Sequence, residues 1–360
     1  MNTTRRIGLL YGGKSVEHEI SIRSAHNVFQ NIDKSLFTPV LIGITKTGSW
    51  HLVTDIDKDI STGAALNLNL GHTSDTFVTN DGSIGTGKLD AIFPVLHGTD
   101  GEDGSIQGLL QTVNLPFAGS GVLGSAVAMD KLLSKRLLLQ AGVPTSKYLT
   151  IDASSEKPYV YQEVVTALGT PFMVKPISLG SSVGVSKVKS EQEYQQALDQ
   201  TLRYDQGVLL EQYISGRELE CAVLGNTNAQ ASYPGEIIIS PRYEFYTYDA
   251  KYEDPDAVEI KIPAEIPEQV ANRIKELSLA SYRALNCEDF ARVDLFLTPQ
   301  NDIFINEINT IPGFTNSSMF PSLWSQHGIS YQDLITKILD LAIERFQQRE
   351  TLNRDYQENL

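Results

Sequence analysis

Ala291-Arg292-Val293-Asp294-Leu295-Phe296-Leu297 is an apolar run broken by charge at alternate positions. Further on, Ile303-Phe304-Ile305-Asn306-Glu307-Ile308-Asn309 is a second apolar run with polar residues towards its end. Both predict β-strands, in which successive side chains point to opposite faces. Arg292 and Asp294 then share a face of one strand, and Glu307 and Asn309 share a face of the other. If the two strands pair, Asp294, Glu307 and Asn309 form a cluster of hard oxygen ligands beside an arginine. Such a set suits Mg²⁺, with phosphate oxygens completing the octahedron. The same residues also fit a plain salt bridge of Arg292 with Asp294 or Glu307, and sequence alone leaves both open.

Working outward, Pro171–Pro176 predicts another strand, and Lys175 lies near its end between Val174 and Pro176. A lysine in a buried strand is costly unless an anion meets it, which points to phosphate. Next comes Gly180-Ser181-Ser182-Val183-Gly184, followed by a returning strand expected over Val183–Val188. These residues match the G-x-S-x-G elbow of hydrolases, but that elbow must lead from strand into helix. A glycine- and serine-rich loop between two strands instead offers a row of backbone amides suited to covering phosphates.

A second match is equally misleading. Gly8 to Ser15 fits the phosphate-loop pattern G-x-x-x-x-G-K-S letter for letter. That loop needs its strand to end at the first glycine, whereas Leu9, Leu10 and Tyr11 carry the apolar run straight through Gly8. The six histidines (His18, His26, His51, His72, His97, His327) show no paired metal-ligand spacing, which disfavours zinc hydrolysis.

The surrounding pattern is α/β. Ile7–Tyr11, Phe37–Ile44 and Ala91–Leu96 predict strands, with a helix over Ser21–Ile32, as in a parallel sheet covered by helices. The polar stretch Asp55–Lys88 is expected to be an exposed excursion. Gly119-Ser120-Gly121 marks a boundary, followed by helices over Val122–Ala128 and Asp130–Gln140 and one near Tyr159–Leu168. Leu209–Tyr213 and Glu218–Leu224 predict strands, and Ile266–Leu285 and Tyr331–Arg345 predict helices. The polar tail from Gln347 is expected to fray.

The chain has 360 residues, too many for one compact core. Its 29 basic against 44 acidic residues give −15 at pH 7, which argues against nucleic acid and anionic membrane surfaces as partners. Cys221 and Cys287 are too few for a disulfide framework and are expected to be small buried residues in a reducing compartment. Neither a signal peptide nor a membrane-length apolar run is expected, so the reading is cytoplasmic.

Taken in order, several motifs together resemble the D-alanine–D-alanine ligase family. They are Gly12-Gly13-Lys14-Ser15-Val16-Glu17-His18-Glu19, His97-Gly98 with Gly101-Glu102-Asp103-Gly104, Met129-Asp130-Lys131, and Val174-Lys175-Pro176 with the Gly180–Gly184 loop. The match continues through Glu211, Gly216-Arg217-Glu218, Tyr248-Asp249-Ala250-Lys251-Tyr252, Arg292-Val293-Asp294, Asn306-Glu307-Ile308-Asn309 and Pro312-Gly313-Phe314-Thr315. The resemblance covers roughly Arg6 to Glu344 and implies the ATP-grasp fold, an α/β (α+β) architecture of three domains that clamps ATP between two sheets. The domains are expected at 1–120, 121–212 and 213–350, with a polar tail at 351–360.

It further implies ligation of two D-alanines through a D-alanyl phosphate, in a cytoplasmic bacterial enzyme of peptidoglycan precursor synthesis, with homodimers and inhibition by D-cycloserine expected. Asp294, Glu307 and Asn309 would hold two Mg²⁺ (or Mn²⁺) ions, with Glu307 bridging. Lys131 and Lys175 would reach the ATP phosphates under the Ser181/Ser182 loop, with Lys251 and Asn306 in the same nucleotide-binding set. Glu211 and Glu218 would contact adenine and ribose, with the backbone near Gln212 and Ile214 facing the base. Glu17 would bind the first ammonium and His97 lie near its carboxylate. Arg292 and the Gly313 amide would stabilise the oxyanion, and Ser318 with the Met319 amide would take the second carboxylate.

Tyr252 would bond Ser181 and, with Lys251, favours the dipeptide over a D-alanyl-D-lactate product. The rivals are that lactate ligase of the same fold, a phosphate-loop NTPase relying on Lys14, and a non-catalytic nucleotide sensor. A sensor has no need of Glu17, Arg292 and Tyr252.

Overall fold

The computed structural model describes residues 4–70, 75–79, 82, 85–152, 159–245, 254 and 256–353. Strand β1 (Arg5–Gly12) leads through a glycine turn into helix α1 (His18–Asn31) and then β2 (Phe37–Ile44), which pairs with β1 in parallel. Strands β3 (Trp50–Val53), β4 (Ala64–Leu68) and β5 (Phe77–Thr79) extend the sheet antiparallel beyond β2. Strand β6 (Ala91–Val95) closes the other side, parallel to β1, giving the order β5-β4-β3-β2-β1-β6. Ile7 to Tyr11 are buried on both faces, which is why β1 reads as an unbroken apolar run.

Two expectations are corrected here. The sheet is parallel only across β2, β1 and β6. The stretch Asp55–Lys88 contributes β4 and β5 to the sheet, burying Leu66 and Phe77, and Trp50 stacks on Phe77 with ring centroids 5.4 Å apart. In strands this short, one or two inward side chains are the whole apolar signal, and the surrounding Gly, Thr and Asn mask it.

Helices α2 (Ser105–Thr112), α3 (Val122–Met129) and α4 (Lys131–Gln140) follow. Asp130 ends α3 and caps α4, its carboxylate accepting from the Leu133 amide at 2.8 Å. The next unit is β7 (Tyr148–Asp152), α5 (Tyr161–Leu168), β8 (Phe172–Pro176), β9 (Ser186–Val188), α6 (Glu191–Thr201) and β10 (Gly207–Gln212), an antiparallel sheet in the order β7-β10-β8-β9. The returning strand β9 starts at Ser186, later than expected. Ser181, Ser182 and Gly184 turn the chain through left-handed conformations (φ 54°, 58° and 69°), which end the extended backbone.

A third sheet contains β11 (Arg217–Leu224), the short β12 (Gln230–Ala231), β13 (Gly235–Ile239) and β14 (Val258–Lys261). After helix α7 (Glu268–Ala284) come β15 (Phe290–Leu297) and β16 (Ile303–Asn309), giving the order β14-β13-β11-β15-β16 with β12 beside β11. Helices α8 (Met319–Gln326) and α9 (Tyr331–Glu350) complete the described chain. α9 runs past Gln347 to Glu350, and Arg349 holds that last turn by a 2.7 Å bond to Glu288.

The first and third sheets are locked together. Leu9, Tyr11 and Phe93 share one core with Phe290, Phe314, Trp324 and the inner face of α9. Arg345 of α9 donates to the carbonyls of Phe117 and Gly119, each at 2.7 Å, and pairs with Glu288 and Asp289. This fixes the C-terminal ends of the parallel strands against the third sheet, where the site forms.

Candidate active site

The two opening strands do pair. β15 and β16 run antiparallel with Asp294 opposite Glu307 and Arg292 opposite Asn309. On the other side, β11 places Glu220 opposite Asp294, so Glu220, Asp294 and Glu307 form one row across three strands. Arg292 grips Asp294 bidentately, Nε to Oδ1 at 2.7 Å and Nη2 to Oδ2 at 2.8 Å, and its Nε is also 2.9 Å from Glu220 Oε2. Asn309 Nδ2 donates to Asp294 Oδ2 at 2.9 Å. Of the two alternatives raised by the sequence, the salt bridge of Arg292 with Asp294 is formed, and Glu307 and Asn309 lie opposite these two residues on the neighbouring strand. Among the described residues, no three His, Cys, Asp or Glu side chains converge on one point. The set here, two carboxylates and an amide oxygen, has the hard-donor chemistry of a Mg²⁺ site that relies on a ligand for its remaining oxygens.

Beside this row lies a cation cluster. Lys175 on β8 is 2.5 Å from Glu211 Oε2 on β10, and Lys135 on α4 is 2.5 Å from Glu211 Oε1. Lys135 also donates to Thr145 and Ser146 hydroxyls at 2.7 and 2.9 Å, while Ser146 donates to Glu211. Burial pushes the Glu211 carboxyl up, but the two ammonium groups overcompensate and hold it well below the usual carboxylate range. Burial lowers Lys135, whereas at Lys175 the same penalty is outweighed by Glu211, with Glu307 and Glu218 adding to it, and its affinity for the proton rises. Lys131 opens α4, donates to the Leu179 carbonyl at 2.5 Å and lies 3.9 Å from Glu307 Oε2.

Lys131, Lys175, Glu211, Asp294 and Glu307 line a cavity of about 350 Å³ between the second and third sheets, with Lys135 buried behind Glu211. Gln212, Ile214, Glu218, Asn306 and Ser182 also face it, and Asn306 Oδ1 accepts from Lys175 at 3.4 Å. A second cavity of about 420 Å³ adjoins it, and Gly180, Glu220, Ile237 and Glu307 line both. Here Glu17, His97, Ser181, Arg292, Gly313 and Ser318 meet, with Met319 beside them. The neighbours Ser181 and Ser182 therefore serve different cavities, an arrangement produced by their two successive left-handed conformations. Such backbone costs about 1–2 kcal/mol per non-glycine residue and marks a functional loop.

His97 is buried. Its Nδ1 bonds the Ile311 carbonyl at 3.0 Å and its Nε2 lies 3.1 Å from Ser24 Oγ. The carbonyl accepts, so Nδ1 carries the proton and Nε2 accepts from the serine. Burial lowers the His97 pKa, Arg292 acts in the same direction, and Glu17 and the Ile311 carbonyl oppose them, so the ring is neutral at pH 7. Glu102 accepts from the Gly98 amide at 2.7 Å, and burial reinforced by Glu17 pushes its carboxyl well up. Gly98 has φ +75°, and a Cβ there would stand 2.7 Å from Glu17 Oε2, so glycine is what lets the carboxylate in.

Lys251 and Tyr252 lie outside the described residues. Three residues were not singled out for a role from sequence: Glu220 and Glu102, which line the second cavity, and Lys135, which is buried behind Glu211. Lys135 sits four residues after Lys131, one turn along α4, and Glu220 two residues after Glu218 on β11, so helix and strand periods carry a signal for each. The phosphate-loop match fails structurally. Gly8 lies inside β1 between Val40 and Ile92, and Lys14 makes a 2.7 Å surface ion pair with Asp100.

Residues 6–120 match the family model described as D-ala D-ala ligase N-terminus, and residues 137–340 match D-ala D-ala ligase C-terminus. A D-alanine–D-alanine ligase A of Chromobacterium violaceum is 46% identical over 363 residues, covering 98% of this chain and 99% of the relative. Among solved structures, the D-alanine–D-alanine ligase from Coxiella burnetii superposes with TM-score 0.86 at 34% identity, covering 96% of each chain. The VanG D-Ala:D-Ser ligase of Enterococcus faecalis superposes with TM-score 0.85 at 34% identity, covering 94% of this chain and 100% of that one. With its three sheets and paired cavities, the chain belongs to the D-alanine–D-alanine ligase family and has the ATP-grasp fold.

Proposed function

We propose that the chain joins two D-alanines at the expense of ATP. The observation that carries this is the junction of the cavities: one sized for a nucleotide, with Lys131 and Lys175 in its wall, meets one lined by Glu17, neutral His97 and Arg292, at Glu307 and Gly180. A free carboxylate is a poor electrophile. Its oxygen first takes the γ-phosphoryl group of ATP, releasing ADP, and the amine of the second D-alanine then displaces phosphate from the acyl carbon and loses a proton. Most of the catalytic task is therefore positioning and charge stabilisation.

Lys131 and Lys175 neutralise the phosphates, and the Ser181/Ser182 turn covers them with backbone amides. Gln212, Ile214, Glu211 and Glu218 form the adenosine end, with Asn306 and Lys251 completing the nucleotide set. Glu17 holds the first ammonium and His97 lies by its carboxylate. Arg292 and the Gly313 amide take the charge that develops on the acyl oxygen. Ser318 and the amide of Met319, at the start of α8, receive the second carboxylate. Asp294, Glu307 and Asn309 would hold Mg²⁺ or Mn²⁺, which would supply phosphate charge neutralisation.

We take the domain boundaries near 120 and 212, a reading supported by the separate strand membership of the three sheets. No helix among the described residues is long and apolar enough to cross a membrane. We place the enzyme in the bacterial cytoplasm as a homodimer in peptidoglycan precursor synthesis.

The test is phosphate release from ATP and Mg²⁺ with D-alanine alone, L-alanine alone, or D-alanine with D-serine or D-lactate, with products identified by mass. D-alanyl-D-alanine from the D isomer only is the expected result. A mixed D-Ala-D-Ser or D-Ala-D-lactate product in preference to the dipeptide would reassign the second substrate and keep the fold. Absence of D-alanine-dependent turnover would refute the ligase reading.

A further inference from the structure

Arg292 faces a conflict. Its guanidinium lines the second cavity, yet it occupies both oxygens of Asp294, the carboxylate that the divalent-cation reading above assigns as a ligand. A cation drawing on Asp294 would weaken that grip, and an arginine loosened inside a polar cleft has many rotamers to explore. The row across β11, β15 and β16 supplies a second holder. Glu220 lies directly opposite Asp294, is buried, lines both cavities, and brings Oε2 within 2.9 Å of the same Nε. Nε carries a single hydrogen, which in this structure goes to Asp294 Oδ1 at 2.7 Å. Glu220 Oε2 is already within hydrogen-bond distance of Nε, so it can accept that hydrogen in place of Asp294.

We propose that Glu220 is a positioning residue that takes over Arg292 when Asp294 turns to a divalent cation, so that the cation enters without dislodging the arginine from the junction of the two cavities. Glu220 is then neither a cation ligand nor a substrate contact. This rests on the divalent-cation reading above, and the test separates the two.

The measurement is Mn²⁺ affinity of the full chain with ADP, followed by the electron paramagnetic resonance of free Mn²⁺, without turnover. The variants are Glu220→Gln, Glu220→Asp, Arg292→Met and the double Glu220→Gln/Arg292→Met, each checked by thermal melting. In the wild-type background Glu220→Gln weakens Mn²⁺ about tenfold, because Arg292 then competes for Asp294, and in the Arg292→Met background the same change costs less than about twofold. Glu220→Asp keeps the charge but loses the reach, and behaves like Glu220→Gln. Equal losses in both backgrounds, or an aspartate variant as good as wild type, would show that Glu220 acts through its own charge and would overturn the proposal. No change from any Glu220 variant would overturn it as well. Failure of the wild-type chain to bind Mn²⁺ would remove the cation reading and this inference with it.

Discussion

Two buried charge clusters stand side by side with opposite excess. Around Glu211 a single carboxylate is surrounded by Lys135 and Lys175, with Lys131 a short distance along α4. Around Arg292 a single guanidinium is surrounded by Glu220 and Asp294, with Glu307 next in the row. Each pairs part of its charge internally, which lowers the cost of burial, and each is left with charge of one sign. They come closest at Lys131 and Glu307, 3.9 Å apart. An anion alone would answer the first cluster and leave the second, and a cation alone the reverse. A nucleotide with its divalent cation answers both, so the pairing of opposite excesses is a stronger sign of function than either cluster separately.

The largest way to break this comparison is Lys175→Met. It removes a phosphate contact from the positive cluster and should lower kcat/KM for ATP by roughly 10³-fold, read from initial rates. Next, Asp294→Asn takes a charge from the negative cluster. Mn²⁺ binding in the presence of ADP should weaken by about 10²-fold, while equilibrium binding of ADP alone changes far less.

Lys135→Met tests the internal pairing. It leaves Glu211 with one ammonium and should cost about 3–5 kcal/mol in urea unfolding. Its effect on pH dependence has a definite sign. Glu211 is held below its ordinary 4.5, so its contribution to stability is present above that value and is lost as the pH falls beneath it. With Lys135 gone the folded pKa rises towards the ordinary value, and the acid-dependent loss attributable to Glu211 shrinks. An unchanged acid profile would break the account of that cluster.

The smallest expected effect is that of Lys14→Met, under about twofold in kcat/KM for ATP, since Lys14 is a half-exposed partner of Asp100 on the surface. If Lys14 proves essential and Lys175 dispensable, the phosphate-loop match would have to be reinstated.

Much of the negative cluster was legible in the sequence because strand alternation places i and i+2 on one face, and β15 and β16 follow each other along the chain. Lys175 was legible because a lysine in an apolar strand calls for a partner. Lys135 was harder: a lysine on an amphipathic helix ordinarily faces water, and only the packing of α4 over Glu211 and the Thr145–Ser146 segment buries it. For Glu220 the strand period gives only a shared face with Glu218; its place opposite Asp294 comes from a pairing between strands some seventy positions apart, which no local period encodes. The added strands β4 and β5 were hidden by their shortness, and α9 outran its expected end because Arg349 finds Glu288 in three dimensions. The Ser181/Ser182 turn was recognised as a loop, but its left-handed geometry, which divides the two serines between two cavities, is a property of the fold.

The most direct test of the central claim follows the oxygen that the chemistry must move. D-Alanine labelled with ¹⁸O in its carboxylate is turned over with unlabelled ATP, and the released phosphate is analysed by mass. Activation as an acyl phosphate predicts one ¹⁸O per phosphate, transferred from the carboxylate of the D-alanine that becomes the N-terminal residue. Phosphate free of label, with dipeptide still formed, would contradict it.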